Sequence, residues 1–152
     1  MLQEISYFCM RNSIIPAVFV IFRRGDTMLV GRRLGAWGSG LLCLPGGHVE
    51  KGESFSQAAI RESVEEVGLV VLPENLKPCH LMNRTNAEGE ERIDAYFFVD
   101  VWSGEPVNNE PEKCSELLWV PVHDLPADIV PILKLGIERI QKGLFYSEDR
   151  IR

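Results

Sequence analysis

The run GGHVEKGESFSQAAIRESVEEVGL, Gly46–Leu69, joins a glycine-rich loop to a segment that carries Glu62, Glu65 and Glu66 close together. Ser54 and Gln57 have capping-box spacing and Gly68 supplies a C-terminal stop, so the spacing predicts a helix from about Ser54 to Val67. Each helical residue turns by about 100°, which puts Glu65 about 60° to one side of Glu62 and Glu66 about 40° to the other. Phe55, Ala58 and Ala59 share that broad sector. Ile60, Ser63, Val64 and Val67 make a separate stripe, expected to pack on a sheet with the glutamates opposite it. Like charges at these spacings repel and cost helix stability. A solvated acidic face is the plain reading. The alternative is a cation site: no basic residue stands between Glu62 and Glu66, and Mg²⁺ takes one or two carboxylates together with water and phosphate oxygens. The preceding glycines permit close approach of backbone and neighbouring atoms.

Around this helix the chain reads as strands. SIIPAVFVIF is β-branched and aromatic, and RRGDT turns it into MLVGRR, which predicts a hairpin. LGAWGSGLLCLPGG reads as a long loop with a short extended piece at Leu41–Leu44. VVLPENLKPCHLMNRTN is expected to hold a strand beside a loop, Arg92–Trp102 a long strand, and LLWVPV a short one. Pro131 in a first turn and the helical period of Ile129, Leu133, Ile137 and Ile140 predict a second helix, about Val130–Lys142, ended by Gly143. The tail LFYSEDRIR carries no pattern. Strands interrupted by two helices give an α/β sandwich with a mixed sheet, in one domain spanning 1–152 with its core at about 13–142.

The totals narrow the partners. A net charge of −6 disfavours polymeric nucleic acid, which needs a basic surface. An anionic small molecule remains open if metal ions offset the charge. Cys9, Cys43, Cys79 and Cys114 form no C-x-x-C pair, so free thiols are expected and a structural zinc site is not. MLQEISYFCM lacks the pattern of a signal peptide, and Ile14–Phe22 is too short to span a bilayer. No membrane association and a cytoplasmic location are the default expectations.

Gly47, Glu53, Arg61, Glu62, Glu65, Glu66, Gly68 and Leu69 fill the fixed positions of the Nudix box, G-x5-E-x7-R-E-U-x-E-E-x-G-U. Only Ser63 departs, standing where U, a bulky aliphatic residue, is usual. With GRR before the box, LPGGH leading into it and NNEPEKC and LWVP after it, the chain resembles MutT-like nucleoside triphosphate pyrophosphohydrolases of the Nudix family over most of Ile14–Gln141. The resemblance implies a Nudix-type α/β/α sandwich. It also implies hydrolysis of nucleoside triphosphates, normal or oxidised, to monophosphate and pyrophosphate. Another nucleoside diphosphate derivative, such as ADP-ribose, a nucleotide sugar or a dinucleoside polyphosphate, is the alternative substrate. A nucleotide-binding sensor without catalysis is a third reading, set against carboxylates that are all present.

Mg²⁺ is the implied cofactor, with Mn²⁺ as the other ion. The implied ligands are Glu62, Glu66, nearby Glu65, the carbonyl of Gly46, and Glu110 with Glu112 as its rival. Under the resemblance, Glu62 or Glu65 is the expected general base. Glu53 and Arg61 brace loop against helix. Arg33 and His48 are candidate phosphate contacts. Asn83, Arg84 and Trp119 are candidates for a nucleobase pocket, because amides and aromatic rings suit a planar base. A homodimer is the implied assembly.

Overall fold

The computed structural model describes residues 13–150. Cys9 and the stretch tested for a signal peptide lie outside them. β1 (Ile14–Arg24) is the central strand. Its far end turns through Gly25 into β2 (Thr27–Arg33), the expected hairpin, pairing Arg23 with Met28 and Arg24 with Thr27. Past that end, β2 leaves β1 and lies between β3 (Leu42–Cys43) and β7 (Cys114–Pro121). The near end of β1 pairs with β4 (Gly46–His48) on one side and runs parallel to β6 (Glu91–Val99) on the other. β5 (Lys77–Thr85) is antiparallel to β6 and parallel to β8 (Tyr146–Asp149). The sheet is therefore mixed.

The two helices cover opposite faces because β1 alternates. Val18, Val20 and Phe22 point to a core shared with Ala58, Ala59 and Val67 of α1 (Phe55–Val67). Ala17, Phe19 and Ile21 point to the other core, with Leu133 and Ile137 of α2 (Pro131–Gln141). This is the α/β/α sandwich expected from the sequence. No helix of the described residues is long and apolar enough to cross a membrane.

Several local expectations are corrected. The box glycines form a strand rather than a loop, because the extended run Gly46–His48 satisfies its backbone on Ala17–Phe19. The tail reading misses β8 (YSED), whose exposure alternates but whose residues show no alternation of apolar and polar side chains in the sequence. The strand expected to reach Trp102 stops at Val99; Trp102 instead stacks on Trp119 and edges onto Phe22. The packing stripe of α1 also differs. Val64 is 43% exposed, whereas Ala58, Ala59, Ser63 and Val67 are buried. The helix is rotated so that Glu62 and Glu66 border the sheet instead of facing away from it. Ser63 sits in the core because its hydroxyl donates to the Ala59 carbonyl at 2.7 Å, which satisfies it without an aliphatic side chain.

Candidate active site

α1 starts where expected. Ser54 accepts from the Gln57 amide at 3.2 Å and the Gln57 side chain accepts from the Ser54 amide at 2.8 Å. Gly68, in the left-handed conformation, closes the other end. The buried contact of Ala58 and Ala59 with the β1 core, rather than the caps, sets the rotation that turns Glu62 and Glu66 toward β4. Gly47 then lies directly under Glu62: a Cβ there would stand 2.3 Å from Oε1. The Gly46 amide donates to Glu66 Oε2 at 2.8 Å.

Arg61 organises the rim. Its Nε and Nη2 grip both oxygens of Glu53 at 2.9 and 3.0 Å, and Nη2 also donates to the His48 carbonyl. Nη1 donates to Glu62 at 2.8 Å and to Glu65 at 3.0 Å. A guanidinium does stand within the acidic cluster, although none lies between the glutamates in sequence. It reaches back from the neighbouring position and fixes one oxygen each of Glu62 and Glu65.

The cluster is short of positive charge where it is deepest. Burial pushes the Glu66 carboxyl up to about 8; the Gly46 amide opposes this, while Glu62 and Glu110 reinforce it. Burial also raises Glu62, with Arg61 opposing and Glu65 and Glu110 reinforcing. That repulsion puts Glu110 beside the helix carboxylates. It lines the same cavity, unlike its rival Glu112, and holds Lys113 at 2.7 Å.

The donor set suits a hard divalent cation: carboxylate oxygens, partly desolvated, repelling one another. It is not a closed cage. Among the described residues no group of three acidic, histidine or cysteine side chains already converges as a complete ligand set. Arg61, Lys113 and the Gly46 amide each occupy an oxygen. A Mg²⁺ site of one or two carboxylates completed by phosphate and water does not need such a cage.

The cluster walls a cavity of about 770 Å³. Arg33 and His48, the two candidate phosphate contacts, both line it. Arg33 Nε donates to the Trp37 carbonyl at 3.0 Å and its guanidinium lies 4.7 Å from the Trp37 ring. Arg84 lines the cavity too, but Asn83 and Trp119 do not. Strand alternation turns Asn83 the other way, where Arg150 donates to its Oδ1 at 3.0 Å. Trp119 faces the α1 core, against Trp102 and under Arg24. Arg92, Trp37 and Lys113 line the cavity and were not anticipated. An exposed tryptophan in a glycine-rich loop was the available signal for Trp37; Arg92 carried none, because only its register beside Arg84 brings it there.

The NUDIX domain model matches residues 14–139. An 8-oxo-dGTP diphosphatase of Escherichia coli (strain K12) is 31% identical over 122 residues, covering 77% of this chain and 91% of that protein. A protein of the same name from Haemophilus influenzae is 38% identical over 89 residues, covering 57% of this chain and 60% of its own length. The MutT NUDIX hydrolase from Burkholderia pseudomallei superposes with a TM-score of 0.76 at 25% identity, over 84% of this chain and 98% of that one. The chain thus belongs to the Nudix hydrolases, MutT-like enzymes that act on pyrophosphate bonds.

Proposed function

We propose that the chain hydrolyses nucleoside triphosphates, normal or oxidised, to nucleoside monophosphate and pyrophosphate, with Mg²⁺ or alternatively Mn²⁺. The observation that carries this is the desolvated carboxylate cluster of Glu62, Glu66 and Glu110 on the wall of a cavity that also presents Arg33 and Lys113. The family typically depends on a divalent metal, and the names of the Escherichia coli and Haemophilus influenzae relatives support an oxidised purine nucleotide among the substrates.

Glu62 and Glu66, with Glu65, Glu110 and the Gly46 carbonyl, would hold the ion. When bound, the ion neutralises phosphate oxygens and lowers the pKa of a water. Attack on a polyanionic phosphorus then needs a proton acceptor, and Glu62 or Glu65 supplies it. Glu62 is the more enclosed of the two, and Arg61 keeps one oxygen of each fixed. Arg33 and His48 orient the phosphate chain. Glu53 positions Arg61, and Arg61 acts through the Glu62 and Glu65 carboxylates that it holds.

Glu66→Gln is expected to lower Mg²⁺-dependent turnover by about 100-fold or more while the fold, read by circular dichroism, is kept. Near-wild-type turnover would remove Glu66 from the site. Phosphorus NMR of the products separates the substrate alternatives, since ADP-ribose or a nucleotide sugar yields a sugar phosphate and no pyrophosphate.

A further inference from the structure

At the cavity wall formed by β5 and β6 stand two arginines served by one buried carboxylate. Arg84 Nε donates to Asp94 Oδ2 at 2.5 Å. Arg92 Nε faces the other oxygen, Oδ1, at 3.9 Å, and both of those atoms are buried without a hydrogen-bond partner. Asp94 is fully enclosed and does not line the cavity, whereas Arg84 and Arg92 do. Cross-strand register explains the grouping: Arg84 pairs with Arg92, and Met82 with Asp94.

Asp94 therefore bonds Arg84 through Nε and faces Arg92 Nε without a hydrogen bond, while both arginines line the cavity. Arg92 Nη2 donates to His48 Nε2 at 2.9 Å, which ties this wall to the glycine rim and leaves the ring's proton to Nδ1. Among the described residues Arg84 has no hydrogen bond from either Nη. Two guanidinium groups against one enclosed carboxylate leave a positive charge; exposed Glu90, 3.8 Å from Arg92 Nη1, and Glu88 are the acidic residues of this part of the cavity lining. Arginine offers donors and no acceptor.

We propose that Arg84 and Arg92, set against Asp94, select the nucleobase by an acceptor edge, so that oxo bases are taken in preference to their amino counterparts. This rests on the nucleotide reading of the cavity and adds the substrate class. A 6-oxo oxygen beside the unprotonated purine N7 meets the guanidinium fork as two acceptors to two donors. An exocyclic amino group at that place sets donor against donor and leaves a desolvated guanidinium unpaired, the kind of mismatch that discriminates strongly.

The test uses equilibrium binding of nucleoside monophosphates to metal-free protein, by calorimetry. IMP with AMP, and GMP with 2,6-diaminopurine riboside monophosphate, exchange a 6-oxo for a 6-amino group beside N7. Wild-type protein is expected to bind the oxo member of each pair about tenfold more tightly or better. Arg92→Gln, which keeps the Arg84–Asp94 pair and hence the fold, is expected to reduce the ratio to about twofold. Arg84→Lys, which keeps the charge but loses the fork, is expected to do the same. Equal wild-type affinities, no measurable binding of any of the four, or an unchanged ratio in both folded variants would overturn the proposal. Failure to release pyrophosphate from triphosphates would count against the proposed reaction and leave these binding ratios unaffected.

Discussion

A Cβ at Gly46 would stand 2.0 Å from the Val18 carbonyl oxygen, and one at Gly47 would stand 2.3 Å from Glu62 Oε1. The first clash is with backbone and the second with the end of a side chain, so the two substitutions have different consequences. Gly46 also has φ +152, within the region L residues avoid. Gly46→Ala is expected to lower the thermal midpoint sharply. Gly47→Ala is expected to keep the fold but displace the Glu62 carboxylate, with kcat/KM falling by about 100-fold for a shift of roughly 1 Å. Equal losses of stability in the two variants would contradict this. Glu66 sets a pH dependence as well. With its carboxyl held at about 8 against an ordinary 4.5, the folded metal-free protein keeps a proton that the unfolded chain has lost between those values. That contribution is full below about 4.5 and is lost as pH rises through about 8. Ion binding needs the carboxylate, so Mg²⁺ uptake at pH 7 is expected to release about one proton, read by calorimetry in buffers of different ionisation enthalpy. Uptake with no proton release would place the ion elsewhere.

The caps of α1 belong to the helix as a unit. Ser54→Ala removes the bond to Gln57 and should cost about 1 kcal/mol, or roughly 2–4 °C in the thermal midpoint. Because Ser54 touches none of the carboxylates, kcat should stay within about twofold of wild type. A large loss of kcat would mean that the cap also sets the rotation of the glutamates. The start, length and stop of this helix were legible in Ser54, Gln57 and Gly68, since capping is local chemistry. Its rotation was not. A helical wheel assigns Ile60 and Val64 to the core by their apolarity; Ile60 packs there, but Val64 is exposed, while Ala58 and Ala59 are buried and Glu62 lies against Gly47. Arg61 likewise reads as a box residue in sequence. Only the folded loop reveals that one guanidinium serves Glu53, Glu62, Glu65 and the His48 carbonyl together.

At the scale of the whole molecule, the mixed sheet brings three distant segments to one cavity: the box at Gly46–Glu66, the later loop with Glu110 and Lys113, and the β5–β6 wall with Arg84 and Arg92. The first was legible because its chemistry and spacing lie in one run. The others depend on long-range register, which is why Trp119 and Asn83, both plausible beside a base from composition alone, turn to other faces. Tail strand β8 escaped notice for the same reason. Its pairing with β5 and the bonds from the His80 ring to the Leu144 carbonyl and Ser147 hydroxyl are long-range facts. The proposed function is that the clustered carboxylates of this cavity cut a nucleoside triphosphate at its α–β bond. The most direct measurement is phosphorus NMR of a nucleoside triphosphate incubated with the protein, with Mg²⁺ and with chelator. The account predicts nucleoside monophosphate and pyrophosphate in the first and intact substrate in the second. Orthophosphate and nucleoside diphosphate as the products, or equal turnover in chelator, would contradict it.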